Sequence, residues 1–437
     1  MLVTTFRSRL LRMVAAGAVV GTVAAGCSSA ENAAPVEITP GVTSTPCPHA
    51  IDTDKGCIYL GVLSDLDGGP FAALGKDMND AQSAFWRQVN EAGGIGGRFE
   101  VDVTTYSRNT AYDARRHLDS YREIEPKVLA LAMSLGTVQT QGVLDRMDAA
   151  DMVATAGTLW SGWQFEDVDK GLVLESGYSY CAEAIIGLDW EREHRAKPRK
   201  IVTVSDTGDY GGDYSAGARK WAETNGVAIE HEIQTAPNAQ VGNQDGPVAE
   251  ILAAAPDLVL LATGPAEAGE IMGKTALAGF TGRFLGSAPT WNGGLLKTPA
   301  AESITAMYNS TSPLDGWDGT STGAKRARQS ASQEPTTWGY SAGWMFSYPM
   351  QALLNRALAE GKLDRHGVRE SVRGLTVDYE GAIAPYTYGG ARPDLSQQRA
   401  VITAPDVTQP LGARTLTTGY HGKTQEKVTL TEPCVRP

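Results

Sequence analysis

The residues best placed for covalent chemistry lie late in the chain. Gly339-Tyr340-Ser341-Ala342-Gly343 has the G-x-S-x-G spacing of a nucleophile elbow, and Asp378 or Asp406, then His421, follow in the order a serine hydrolase requires. An elbow needs a buried strand leading into its serine. The segment before it, S-A-S-Q-E-P-T-T-W, is polar and broken by Pro335, so no catalytic residue is assigned. Asp206-Thr207-Gly208 matches the triplet of aspartic proteases, but no second D-[ST]-G supplies the partner carboxylate. Asp65-Leu66-Asp67-Gly68 lacks the remaining ligands of a calcium loop. The histidines at 49, 117, 194, 231, 366 and 421 form no H-x-x-x-H pair, and there is no C-x-x-C. The glycines from Gly93 to Gly97 lack the Lys-Ser/Thr of a phosphate loop. No metal and no cofactor are expected, and the chemistry that remains is binding.

Cysteine is the other reactive type. Arg7, Arg9 and Arg12 precede an uncharged run from Met13 to Gly26 that ends T-V-A-A-G before Cys27. A basic start, a short apolar stretch and small residues describe an export signal over residues 1–26. At about 14 residues the run is shorter than the roughly 20 a bilayer span needs. The signal resembles that of bacterial lipoproteins, with Ala24 where leucine is usual. The resemblance implies a lipid on Cys27 and an extracytoplasmic protein tethered by that lipid alone. Residues 27–56 are small, polar and proline-bearing, and read as a flexible tether. Four cysteines remain, and four allow three pairings. The favoured set is Cys47–Cys57, close in sequence, with Cys181–Cys434; free buried thiols are the alternative. The formal charge of -12, with no basic patch, argues against nucleic acid.

The elements that must carry a binding site follow from hydrophobic pattern. Apolar runs at 58–63, 99–103, 128–133, 152–155, 201–204, 258–262 and 284–286 read as buried strands. Helical spacing recurs between them, near 81–92, 111–124, 138–149, 178–190, 215–225, 248–254 and 266–278. A long helix is expected over 338–363 and another near 365–375. Such alternation predicts α/β architecture with doubly wound parallel sheets, and its length suggests two lobes.

Several segments then resemble one family. V-L-S-D-L-D-G-G-P-F-A-A-L-G at 62–75, N-E-A-G-G-I-G-G-R at 90–98, V-S-D-T-G-D-Y-G at 204–211 and P-T-T-W-G-Y-S-A-G-W at 335–344 resemble the leucine/isoleucine/valine-binding proteins. Those are type I periplasmic binding proteins, the receptors of ABC importers. The resemblance covers about 58–402. It implies two lobes joined by a hinge, with crossings near 177, 300 and 385. Lobe 1 is then 57–177 plus about 302–385, and lobe 2 is 178–301 plus about 386–437. It further implies a monomer that hands a small solute to a permease.

Two turns match the family's ligand turns, Ser134-Leu135-Gly136-Thr137 and Ala156-Gly157-Thr158-Leu159-Trp160. The resemblance places Gly136 and Thr137 at a ligand carboxylate, and Gly157, Thr158 and Trp160 in a second ligand turn where Gly157 lets the backbone approach the ligand. Tyr210 falls where the family uses an aromatic from lobe 2. An ordinary helix cap is the plain alternative for Thr137. The family's amino-acid receptors carry an acid after the strand ending at Gly286, whereas this chain reads G-S-A-P-T-W-N. An unpaired ammonium in a closed cleft is costly, so a plain amino acid is disfavoured unless Asp65, Asp67 or Asp206 substitutes. Trp160, Trp163 and Trp291 can line a wider pocket. The expected ligand is a small polar or carboxylate-bearing solute. A hydrolase using Ser341, or a sensor on the same fold, are the competing functions.

Overall fold

The computed structural model describes residues 39–195, 197–206, 210–389, 395 and 398–436. The expected export signal and Cys27 lie outside them. Two seven-stranded sheets form the framework. The first contains β1 (Val42–Thr43), β2 (Gly56–Ser64), β3 (Phe99–Asp102), β4 (Ser107–Asn109), β5 (Ala130–Ser134), β6 (Ala154–Ala156) and β7 (Val173–Leu174). Its order is β1-β2-β5-β6-β7, with β3 and β4 also on β2. All pairs are parallel except β1 with β2. The second contains β8 (Lys200–Asp206), β9 (Ala228–Thr235), β10 (Leu258–Ala262), β11 (Arg283–Gly286) and β12 (Tyr308–Ser312). After a small hairpin, β13 (Thr376–Val377) and β14 (Tyr386–Thr387), the chain adds β15 (Ala400–Pro405) and β16 (Ala413–Tyr420) in the order β16-β15-β12-β11-β10-β8-β9. Strands buried on both faces are near-continuous apolar runs, and β10, Leu-Val-Leu-Leu-Ala, is buried throughout.

Helices cover the sheets. The first sheet carries α1 (Ala72–Glu91), α2 (Ala114–Ile124), α3 (Thr137–Ala149) and a single turn, α4 (Glu166–Asp169). The second carries α5 (Tyr180–His194), α6 (Tyr210–Asn225), the short α7 (Asn238–Val241), α8 (Asp245–Ala254), α9 (Pro265–Leu277) and α10 (Ala301–Met307). The chain then returns to the first sheet through α11 (Thr322–Ser330), α12 (Gly339–Met345), α13 (Tyr348–Ala359) and α14 (Arg365–Glu370). There α12 lies on α1, with Phe85 edge-on to Trp344 at 5.1 Å.

Four expectations need correction. The tether does not extend to residue 56: residues from Val42 on are folded, because β1 pairs with β2 and the Glu100 carboxylate accepts the Ile51 and Asp52 N–H groups. The second crossing is not near 300. Strand β12 pairs in parallel with β11, so the chain stays with the second sheet to Ser312. The third passage falls between Gly389 and Ala400, since Tyr388 still donates to the Glu175 carbonyl beside the first sheet. The expected long helix over 338–363 is two helices, α12 and α13, with Pro349 in the first turn of the second.

Both disulfides are formed. Cys47–Cys57 has an S–S distance of 1.97 Å and Cys181–Cys434 one of 2.04 Å. The second binds the C-terminal segment to the start of α5. No helix among the described residues is long and apolar enough to cross a membrane.

Candidate functional site

Loops at the carboxyl ends of the parallel strands face each other across the two sheets, where ligands of open α/β folds bind. From the first sheet, β5 ends at Ser134 and turns at Gly136, whose φ of 105° excludes side chains and makes it the N-cap of α3. Its side-chain-free cap leaves the Thr137 hydroxyl unused: Thr137 is fully buried and its Oγ1 has no hydrogen-bond partner. The plain helix-cap reading of Thr137 therefore does not describe the structure. The helical ladder starts with Thr140 N–H to the Gly136 carbonyl, so the N–H groups of Thr137, Val138 and Gln139 precede it. Below the turn, the Ser134 hydroxyl lies 2.7 Å from Thr140 Oγ1 and 3.1 Å from His117 Nε2. Burial holds His117 neutral, its pKa lowered to about 3.

The second turn is built differently from expectation. Gly157 is glycine because a Cβ would overlap the Met133 sulfur and the side chain and backbone of Leu135, a packing constraint. Thr158 accepts from Trp163 Nε1 at 3.2 Å, and Trp160 Nε1 donates to the Val435 carbonyl at 2.9 Å. The two tryptophans pack edge to face at 4.9 Å beneath the C-terminal segment. Trp160 and Trp163 thus support the joint near the Cys181–Cys434 bond, and neither lines the cavities between the sheets described below.

At the centre of the cleft Tyr210 is buried, with its hydroxyl donating to the Thr263 carbonyl at 2.8 Å. Its ring meets Phe71 at 6.0 Å and Tyr180 at 5.0 Å, and Phe71 meets Tyr112 at 4.8 Å. Four aromatic rings from both lobes fill this region. The acids offered as substitutes are otherwise engaged or placed. Asp65 accepts the Gly69 and Phe71 N–H groups and shapes the turn that presents Phe71, and burial raises its pKa. Asp67 is exposed, and its backbone is bonded to Asn109. Asp206 is buried at the end of β8.

Open space lies beside the aromatic cluster, around Trp291. One cavity of about 280 Å³ is walled by Phe71 and Leu74 from the first lobe and by Pro265, Pro289, Trp291 and Leu295 from the second. A smaller one of about 50 Å³ continues on the other side of Trp291, between Thr311, Trp317, Trp338 and Leu411. Trp291 stacks on Tyr308 at 5.3 Å and donates to the Leu411 carbonyl at 3.0 Å. Gly286 makes the stack possible, since a Cβ there would overlap the Tyr308 hydroxyl.

Of the sequence candidates, Trp291 lines both cavities and Tyr210 packs on Phe71 beside them, while Gly136 and Thr137, at the turn after β5, line neither. Phe71, Tyr180, Pro265 and Leu295 were not singled out. Phe71 had a signal in the Gly69-Pro70 break before it; the others had none. The hydrolase constellation is not assembled. Ser341 is buried in α12, whereas His421 pairs with Glu426 at 3.4 Å, Asp378 accepts from Glu380 N–H, and Asp406 accepts from Thr408. Among the described residues no group of three His, Cys, Asp or Glu side chains is placed to hold a metal.

Comparison with known proteins agrees with this geometry. A family model described as periplasmic binding protein matches residues 58–404. Among curated proteins no sequence match is found. Among solved structures, a fatty acid ABC transporter substrate-binding protein from Thermomonospora curvata superposes with a TM-score of 0.80 at 22% identity, covering 91% of this chain and 98% of that one. A branched chain amino acid ABC transporter from Thermus thermophilus with bound valine gives 0.69 at 14% identity, covering 85% and 98%. A solute binding protein of an ABC transporter from Rhodopseudomonas palustris HaA2, in complex with p-hydroxybenzoic acid, gives 0.67 at 15% identity, covering 84% and 98%.

Proposed function

We propose that this chain, which belongs to the periplasmic binding protein family, captures a carboxylate-bearing solute with an apolar body and delivers it to an ABC importer. The observation that carries the reading is the cavity around Trp291, whose wall is mostly proline, leucine, alanine, phenylalanine and tryptophan, with Asn292 and Thr337 as its polar members. Such a wall gains from burying hydrocarbon, about 25 cal/mol per Å². The donors suited to a carboxylate are the N–H groups at the start of α3 with the orphaned Thr137 hydroxyl. No acid stands in the 286–292 turn to hold an ammonium. The neighbours named for fatty acid and p-hydroxybenzoic acid fit this chemistry better than the one with bound valine.

The same reading puts the folded body outside the cytoplasm, a monomer held to the membrane through a lipid on Cys27. Closing two lobes around the solute is hinge motion. A thermal-shift screen of the protein from Thr39 onward, against leucine, valine, 4-hydroxybenzoate and octanoate, tests the ligand class. Ligand at a hundredfold excess over its dissociation constant adds about 2.7 kcal/mol of apparent stability. Shifts with 4-hydroxybenzoate or octanoate are expected; strong shifts with leucine or valine alone refute the inference from the apolar wall.

A further inference from the structure

The turn that carries Trp291 is held from behind. Glu183, on the first turn of α5, is fully buried and reaches the back of this turn. Its Oε1 accepts two hydrogen bonds, from Ala288 N–H at 2.8 Å and from the Thr311 hydroxyl at 2.5 Å. Both donors belong to residues that line the smaller cavity beside Trp291. Oε2 has no partner of proper geometry. The groups that face Glu183 are the hydroxyls of Tyr178, before α5, Tyr214, on α6, and Tyr308, on β12. Each is buried, and each would be disfavoured as an anion by a charge on Glu183. The ion pairs nearest Glu183 along α5, Asp189 with Arg192 at 2.8 Å and Glu191 with Arg283 at 3.2 Å, are not among the groups that act on Glu183.

An ionised carboxylate here would be out of water, with two donors on one oxygen and none on the other, which is costly. A neutral acid is the less costly state: Oε1 accepts both bonds as a carbonyl oxygen, and the unpartnered Oε2 carries the proton in place of a buried charge. Burial pushes the Glu183 carboxyl up to about 8, in the same direction.

We propose that Glu183 is a positioning residue for solute capture, a neutral carboxylic acid that fixes the Ser287–Trp291 turn from behind. The proposal rests on the reading that the cavity around Trp291 takes the solute. It also accounts for an acid-free turn: the carboxyl lies one layer behind the wall, where it orders backbone and offers no charge to a ligand ammonium.

Three measurements on the protein from Thr39 onward, which keeps β1, test it. Infrared difference spectra of parent against Glu183→Gln are expected to show a protonated-carboxyl stretch at about pH 7 that the variant lacks. Octanoate, as the probe, is expected to bind Glu183→Gln within about threefold of the parent, since the amide oxygen accepts the same two bonds. Glu183→Ala leaves Ala288 and Thr311 without their acceptor, and is expected to weaken octanoate at least tenfold. Parent affinity is expected to fall above about pH 8, and Glu183→Gln affinity to stay flat. Absence of the infrared band, equal damage from Gln and Ala, or parent-like binding by Ala overturns the proposal. Should Ala not fold, the band and the Gln pH profile decide. Should no member of the solute panel bind, the solute reading fails by itself and the band still decides the state of Glu183.

Discussion

Removing the two disulfides one at a time should cost very different amounts. Cys181 and Cys434 are separated by 253 residues, and Cys47 and Cys57 by 10. In the chain-entropy model a cross-link restrains the unfolded state by an amount that grows as 1.5RT times the logarithm of loop length. The long loop then contributes about 5.5 kcal/mol and the short one about 2.7, a difference of about 3 kcal/mol. The long-range bond also holds the terminal segment whose Val435 carbonyl accepts from Trp160 and whose Cys434 N–H donates to Ser161. Urea denaturation of Cys181→Ala/Cys434→Ala and of Cys47→Ala/Cys57→Ala, followed by tryptophan fluorescence, measures both losses. The expected result is a larger drop for the first pair, with an m-value that rises as the unfolded chain expands. Equal losses would refute the entropic account, and a loss under about 1 kcal/mol for the long-range pair would show that the strap restrains nothing.

Other outcomes follow from single positions. Cys27→Ala should release the protein from membranes, read by fractionation; a variant as firmly bound as its parent removes the lipid anchor. Thr137→Ala should weaken a carboxylate ligand by about 1–3 kcal/mol, the range for a hydrogen bond to a charged group, measured by calorimetry; unchanged affinity removes the hydroxyl from the site. Trp291→Ala should weaken the same ligand at least tenfold, about 1.4 kcal/mol, without changing the fold by circular dichroism. For pH, the native Glu183 carboxyl, raised to about 8, keeps a proton that the unfolded chain gives up near 4.5. Stability from this group is therefore complete below about pH 4.5, falls as pH rises and levels off above about 8, by at most about 1.4 kcal/mol per unit. Glu183→Gln should remove that slope from denaturation measured across the window; an unchanged slope assigns it to other groups.

What could be read from the chain followed from how each element is buried. Strands β5 and β10 are covered on both faces and are apolar but for Ser134 at the end of β5, so they announced themselves. Strand β12, Tyr-Asn-Ser-Thr-Ser, is as deeply placed but polar, because Ser310 bonds Thr403 and Thr311 bonds Glu183. Its composition imitates a loop, and the second crossing was misplaced for that reason. Strand β9 carries an exposed face with Glu230, His231 and Glu232 and shows no apolar run. In the cleft, Tyr210, at the start of α6, was found through the family resemblance, and Trp291 through the turn after β11. Phe71, Tyr112 and Tyr180 come from three separate segments, and their meeting is a property of the fold that no local pattern contains.

The chain passes between the sheets three times, and this limits how such a protein can change over generations. The first sheet takes residues from 42 to 174 and its covering helices from 322 to 370, while the second takes 200 to 312 and then 400 to 420. No single recombination point separates one lobe from the other. A gene fusion or exchange that replaced half of this chain would leave both sheets incomplete. The two walls of the cleft are therefore inherited together, and a new ligand must be reached by substitution in place. Positions such as Phe71, Tyr210 and Trp291, which fill or bound the cleft, are where such a substitution would act on the ligand.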